Sequence, residues 1–432
     1  MSRQPAQAPD LAVSRRQFVK AAAGSAIAIG AATRLQASSW VTGREVIRVG
    51  VIGCGGRGTG AAYNALEADP AVRIIALADL FPDRVSACRE QLAKDFADRA
   101  TVTPEMCFNG FDACKHLLAA PVDYVILATP PGFRPAHFEA AVAAGKHVFM
   151  EKPVAVDPAG VRRVLASAAE ATRKNLSVVA GTQRRHEHSY LEAIARLRDG
   201  AIGDVVSASC YWNQGGLWVH DRRPEYTDVE WMCRNWLYFD LMSGDHICEQ
   251  HIHNLDVINW VMDATPAKAM GMGGRQVRTH EKYGNIFDHF AIEYTYPSGH
   301  TMLSMCRQID GCADRVEESV VGSKGSLLTR PNFAIIKSDG EWRAQRNPSN
   351  PYTQEHIDLI ASIRGSGSHL NEAVRVAEST LTAIMGRMSA YTGKEVTWKQ
   401  AMESQLKLMP DDISFGDFAA SPVPTPGQTA LI

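Results

Sequence analysis

The run GDHICEQHIHNLDVINW at residues 244–260 concentrates three histidines, two aspartates and one glutamate. At helical spacing Glu249, His253 and Asp256 stand at i, i+4 and i+7 on one face, while Ile252, Leu255 and Ile258 turn to another and His251 falls off the polar face. A neutral imidazole, with an ordinary pKa near ~6.5, can take a proton from a substrate hydroxyl. Asp256 is spaced to fix the tautomer of His253, to stabilise the helix or to meet an opposing domain. Glu, His and Asp are also metal ligands, but the motif is not HExxH and no Cys or His cluster elsewhere offers a further ligand, so no metal is expected. Acid/base or substrate contact is preferred over a purely structural polar face, with His246 and Asp245 read as cleft residues or loop caps.

Two further patterns carry chemistry. In IRVGVIGCGGRGTG, Gly53, Gly55 and Gly58 spell GxGxxG between a strand-like and a helix-like stretch. Glycine there permits a tight turn, close approach of a pyrophosphate to the backbone and close packing of helix on strand, while the helix N-terminus favours the phosphate charge. The next strand, RIIALAD, ends in Asp79, 21 residues beyond Gly58. An acid at that place accepts hydrogen bonds from the adenine ribose and repels a 2′-phosphate, so NAD is expected over NADP unless Arg84 turns toward it. Lys152, in FMEKP, can hydrogen-bond a substrate hydroxyl and favour its alkoxide.

These residues need a frame that brings them together. After RIIALAD the pattern predicts a helix over about 83–96, a short strand near 102, a helix near 110–119, the strand VDYVILATPP, the helix PAHFEAAVAAG and the strand KHVFMEKP. Alternating strand and helix implies a doubly wound parallel sheet. Thr129, Pro130, Glu151, Lys152 and Pro153 then fall at carboxyl ends of strands, where such sheets bind ligands.

The chain has 432 residues, beyond the roughly 250 to 300 at which one core stops growing, so two domains are expected. With 45% hydrophobic residues, 21% charged and a formal charge of −2, it lacks the basic bias of a nucleic-acid binder. The N-terminus differs: SRRQFVK, then the apolar AAAGSAIAIGAA, then LQASS, reads as a twin-arginine export signal over residues 1–37. Its apolar run is too short to span a membrane, which takes about 20 residues. Removing 1–37 takes away Arg3, Arg15, Arg16, Lys20, Arg34 and Asp10, leaving 40 basic against 46 acidic residues, or −6. The expected location is periplasmic or otherwise exported, with the export machinery as a partner. A route that carries folded proteins requires the cofactor to be bound first, so tight binding is expected. Nine cysteines, scattered and odd in number, imply no disulfide framework.

The ordered set GCGGRG, ATPPGFRPAHFEAAVAAGKHVFMEKP, GAIGDV and HxxD before a tryptophan resembles the glucose-fructose oxidoreductase and inositol dehydrogenase family, Gfo/Idh/MocA, over most of residues 45–330. The resemblance implies an N-terminal Rossmann domain followed by a C-terminal α/β domain with a large open, mostly antiparallel sheet that commonly forms the oligomer interface. A homo-oligomer, dimer or tetramer, is therefore expected. Carried over by position, Gly53, Gly55, Gly58 and Asp79 match the family's cofactor contacts, Lys152 its EKP lysine and His253 its catalytic histidine. Gly56, Arg57, Thr129, Pro130, His137, Glu151 and Lys152 are assigned with the glycines and Asp79 to the cofactor, and Lys152 again, with His253 and Glu249, to catalysis. The usual pattern has an aspartate four residues before the histidine and a glycine two before it; this chain has Glu249 and His251.

The second half fits independently: DHFAIEYTYPSGHTMLSMCRQ and RVEESVVGSKGSLLT read as hairpins about PSG and GSKG, and 355–392 has helical periodicity. The expected units are 45–175 for the Rossmann domain, 176–415 for the substrate-binding and oligomerisation domain, and 416–432 for an extended tail. Aromatic faces and guanidinium forks suit carbohydrate. Arg184, Arg185, Trp212, Arg234, Trp236, His246, His251 and Asp256 are therefore placed at the substrate. The whole implies an exported NAD-dependent oxidoreductase of a sugar, glycoside or polyol. The alternatives are a glycoside hydrolase or lyase using bound NAD through transient oxidation and elimination, and a non-catalytic sugar sensor.

Overall fold

The computed structural model describes residues 46–347 and 349–432; the twin-arginine signal lies outside them. The first sheet is built from β1 (Ile47–Ile52), β2 (Val72–Asp79), β3 (Cys107–Asn109), β4 (Tyr124–Leu127), β5 (His147–Met150) and β6 (Val178–Ala180). Their order is β3-β2-β1-β4-β5-β6, and every pair is parallel. Helices cover both faces, which is why β4 is the unbroken apolar run YVIL with all four residues buried. The strand order reverses between β1 and β4, so the crevice at their carboxyl ends is the place for a ligand.

Two boundaries differ from the sequence reading. The strand expected near 102 is reduced to a single bridge between Ala100 and Ile74, and β3 forms later, at 107–109. Pro104 opens a short 3₁₀ turn over Pro104–Met106, and its missing N–H and fixed φ suit a turn better than a strand. The first sheet also runs past 175, because β6 pairs with β5. Its core takes in Leu359, Ile360 and Ile363 from the helix Pro351–Arg364, which packs on the helix Gly56–Ala68. The chain therefore returns to the first unit after building the second.

The second sheet has nine strands. β7 (Val205–Gln214), β8 (Lys268–Gly274), β9 (His289–Thr295), β10 (Thr301–Gln308), β11 (Arg315–Gly322), β12 (Ser326–Arg330), β13 (Phe333–Lys337), β14 (Glu341–Arg343) and β15 (Val396–Thr397) run in the order β14-β13-β12-β11-β7-β10-β9-β8-β15. All neighbours are antiparallel except β7 and β10. The hairpins β9–β10 and β11–β12 turn where PSG and GSKG lie. One face is buried under the helices Ile252–Met262 and Ala373–Thr392; Gly386 lies so close that a Cβ there would meet the Tyr294 hydroxyl at 2.0 Å. The other face exposes Met270, Met272, Leu303, Met305 and Val321. Residues 416–432 form no helix or strand, yet they are fastened to the body: Asn285 donates to the Ser421 carbonyl and Gly427 N–H to the Thr392 carbonyl.

The helix Ile252–Met262 is held by two buried ion clusters. Asn254 donates to Glu318 of β11, whose carboxylate also takes Arg184, Tyr190 and Thr329. Asp256 accepts from Arg185 at 2.8 and 3.1 Å, from Ser379 at 2.8 Å and from Arg375 at 3.3 Å. Removing one partner of a buried pair leaves the other charge uncompensated. Asp256→Ala is accordingly expected to lower the unfolding free energy by about 3–5 kcal/mol in chemical denaturation; a loss under about 1 kcal/mol would show that the cluster does not hold the helix.

Candidate active site

The glycine-rich loop leaves β1 with Gly53 at φ +99°, and a Cβ there would sit 2.5 Å from the Ala128 carbonyl carbon and the Thr129 nitrogen. A Cβ on Gly58 would lie 1.7 Å from the Gly53 oxygen, so Gly58 serves the packing of helix on loop. At Gly56 nothing stands within 4 Å of such an atom, and the helix Gly56–Ala68 starts with no side-chain cap and no acid in its first turn. Its free N–H groups therefore face open space, as an anion requires. Asp79, at the end of β2, accepts from Cys54 N–H at 2.7 Å and Phe81 N–H at 3.0 Å. Burial raises its pKa, against these two bonds.

A cavity of 430 Å³ opens here, with Gly53, Gly55, Gly56, Arg57, Asp79, Thr129, Pro130 and His137 on one side. Trp218, His220, Cys233 and Trp236, from the segment after β7, form the opposite wall. His137 faces the Thr129 hydroxyl at 3.1 Å, and burial, aided by Arg134 and Arg163, pushes its pKa down to about 3. Positive-φ glycine, an uncapped helix start and a strand-end acid together fit a dinucleotide.

Adjoining it is a second cavity of 260 Å³, which shares Arg57, Thr129 and Trp236 with the first. Here Lys152, just past β5, donates to the Glu249 main-chain oxygen and lies 3.2 Å from its carboxylate. His253 lines the same space, its ring stacked on Trp212 with centroids 5.7 Å apart. Burial above all, then Lys152, Arg184 and Arg57, holds the His253 pKa well below its ordinary value, so the imidazole is neutral. Glu151 also lines the cavity and accepts from Arg57 Nε at 2.6 Å.

The run 244–260 is two helices, His246–Glu249 and Ile252–Met262, separated at Gln250 and His251. Glu249 and His253 still reach one pocket, but their polar neighbours do not. Asp256 belongs to the ion cluster with Arg185 and Arg375, not to His253. His251 turns onto the inner face of the second sheet, 2.7 Å from the Ser304 hydroxyl and fully buried. His246 pairs with Asp245 at 2.9 Å inside the core, while Asp245 also takes Phe287 N–H and the Tyr391 hydroxyl. Neither His246, His251 nor Asp256 lines the cavities, which corrects their placement at the substrate.

The arginines are corrected likewise. Arg184 is spent on Glu318 and Arg185 on Asp256, because the 3₁₀ turn Gln183–His186 after β6 points them at the second sheet and its helix. Arg234 bonds Glu230 and Asp83 and lies over the Phe81 ring, away from the smaller cavity. Trp212 supports His253, and Trp236 alone of this group lines both cavities. Tyr352, which lines the smaller cavity and carries the Arg57 guanidinium 5.0 Å over its ring, escaped the sequence reading, since NPYTQEH signals only a helix start. Arg134, buried and donating to the Leu127 and Thr129 carbonyls, also escaped it. Among the described residues no group of three or more His, Cys, Asp or Glu converges on a metal-sized site.

Residues 47–179 match the profile of an oxidoreductase family with an NAD-binding Rossmann fold, Gfo/Idh/MocA, and residues 190–328 that of the family's C-terminal domain. An inositol 2-dehydrogenase of Rubrobacter xylanophilus is 25% identical over 323 residues, covering 74% of this chain and 82% of that protein. One from Acidothermus cellulolyticus is 28% identical over 231 residues, or 53% of this chain; the match spans only 58% of the relative's length. Among solved structures, an aldose-aldose oxidoreductase from Caulobacter crescentus superposes with a TM-score of 0.65 at 18% identity, covering 82% of this chain and 99% of that one. An oxidoreductase domain protein from Kribbella flavida does so at 0.67, with 18% identity and the same coverage. These two likenesses carry the fold.

Several histidines are buried uncharged. Burial pushes His137, His251 and His356 down to about 3 and His147 to about 4, and His253 also falls. In the unfolded chain they titrate near ~6.5, so below that pH the unfolded state binds more protons and stability falls with pH. His186 acts in another window: burial opposes its charge, but Asp358 and Glu372 raise it to about 10, so its contribution is complete below ~6.5 and is lost as pH rises toward 10. The melting temperature is expected to drop by several degrees from pH 7 to pH 5; an unchanged value would mean that these rings are not neutral in the fold.

Proposed function

The chain belongs to the Gfo/Idh/MocA family of NAD-binding Rossmann oxidoreductases, and from that membership we propose that it moves a hydride between a hydroxyl-bearing carbon of a sugar, glycoside or polyol and NAD. The observation that carries the reading is the meeting of Lys152, Glu249 and His253 in a cavity that shares a wall with the glycine-loop cavity. The relatives named inositol 2-dehydrogenase support a polyhydroxylated substrate. Asp79 in the larger cavity supports NAD over NADP, because its carboxylate would repel a 2′-phosphate.

Bound NAD would supply the hydride acceptor. Lys152 donates to the reacting oxygen and favours its alkoxide character. His253, neutral and fixed in plane by Trp212, takes the hydroxyl proton. Glu249 orients Lys152, its carboxylate 3.2 Å from the amine. His251 contributes no contact to the ring and instead fills the core below it.

One observation favours a second reading. The cofactor-side cavity is walled by a segment of the second unit, an arrangement suited to a cofactor that stays bound. Transient oxidation of one ring carbon would then acidify the neighbouring C–H, allow loss of a glycosidic group and end with the hydride returned. Export by the twin-arginine route, with NAD bound beforehand, belongs to the same proposal. So does a homo-oligomer joined through the outer sheet face, where Met270 and Met272 of β8 stand in register with Leu303 and Met305 of β10 across β9.

Lys152→Ala and His253→Ala are each expected to cut turnover by about 10²–10⁴ with NAD binding retained, followed by reduced-nicotinamide absorbance over a panel of polyols, aldoses and glycosides. Full activity in either variant would remove that residue from the mechanism, and leaving-group release without net reduced cofactor would decide for the second reading. Met272→Glu with Leu303→Glu should convert an oligomer to a monomer in light scattering; a monomeric wild type would end the interface proposal.

A further inference from the structure

The segment between β7 and the helix Asp240–Ser243 crosses back over the first unit and supplies Trp218, His220, Cys233 and Trp236 to the cavity beside the glycine loop. Two fastenings, neither used in the reaction, hold it there. In the first, the Arg234 guanidinium lies 3.9 Å over the Phe81 ring and bonds both oxygens of Asp83 at 3.3 and 3.4 Å, while Glu230 holds its Nε at 3.0 Å. Phe81 and Asp83 follow directly on β2 and Asp79, so this contact joins the strap to the edge of the larger cavity.

In the second fastening, Phe415 stands against Phe81 and Phe111 of the first unit with ring centroids 6.1 and 5.0 Å apart. The next residues bind the strap: Gly416 O accepts from Val229 N–H, and Phe418 N–H donates to Asp228 at 2.9 Å. The apolar side chains under both fastenings, Phe81, Val229, Trp231, Met232, Phe239 and Leu241, form a cluster separate from the two main cores. A separate cluster can open while the main cores stay closed.

We infer that the strap around residues 218–236 is a clasp on the bound dinucleotide, and that its latch, Arg234 on Phe81 and Asp83 with Phe415 behind it, sets how long the cofactor stays. This rests on the NAD reading above. The Asp83 side chain is 62% exposed and that of Arg234 20%, so the ion pair alone is weak and screened by salt, and the stacking on Phe81 carries more of the effect.

The test is the rate at which unlabelled NAD displaces labelled NAD from the intact protein, with no sugar present and melting temperature monitored in parallel. Arg234→Ala is expected to speed release by about ten- to a hundredfold, Phe415→Ala by about tenfold, and Asp83→Ala by about fivefold or less. Arg234→Lys, which keeps a cation beside Asp83 and Glu230 and loses the planar guanidinium stack on Phe81, should restore no more than the Asp83 share. Release at the wild-type rate from a folded Arg234→Ala protein would overturn the latch while leaving the NAD reading intact. A wild-type protein that binds no NAD would overturn both.

Discussion

A lysine stands where the two halves of the molecule meet. Lys152 leaves the end of β5 in the parallel sheet, and its amine lands on Glu249, which ends a short helix of the second unit. A lysine on a loop would ordinarily spread through solvent. Here it is held by a carbonyl and a carboxylate from a segment nearly a hundred residues away in sequence, |i−j| = 97. Its place requires the strand ends of the first sheet, the broken helix of the second and the packing that keeps both in register. Burial keeps His253 neutral, and Lys152 is the first charge that adds to that effect.

Around that contact the charged residues divide by whether they are buried against a counter-charge or face a cavity. Arg184 with Glu318 and Arg185 with Asp256 and Arg375 form closed sets deep in the protein, with almost no exposed area on the acids. They turn the helix Ile252–Met262 into a fixed mount, pinned just after His253 by Asn254 and Asp256. Lys152, Glu249, Glu151 and Arg57 line open space instead. A charge buried against its counter-charge adds rigidity, while one with bonding capacity facing a cavity can meet a ligand.

The interleaving of the chain serves the same end. The helix Pro351–Arg364, built after the second sheet, returns to the glycine-loop helix and brings Tyr352 beneath Arg57. The segment after β7 returns to the edge of β2, and residues near the C-terminus close over both. The first two returns add walls to the cavities without adding a strand to the first sheet. Relative motion of the two units is thereby limited, because one continuous core runs from β4 and β5 through the helix Ala373–Thr392 to β9 and β10.

What the sequence determined by itself were the features whose cause is local. Three glycines at fixed spacing after an apolar strand announce a turn that only glycine can make, and Gly53 at φ +99° is that turn. Alternating apolar residues announced the two hairpins, and motif order placed Lys152 and His253 in one family of folds. The partners of Arg184, Arg185, Asp256 and His251 were not legible, because those side chains are oriented by contacts 134, 71 and 53 residues distant. Spacing within one helix cannot foresee a break at Gln250–His251, nor that Arg185 and Arg375 draw Asp256 away from His253 within the helix they share. Whether a polar residue meets substrate or closes an ion pair depends on what the rest of the chain brings beside it, and only the tertiary structure decided that.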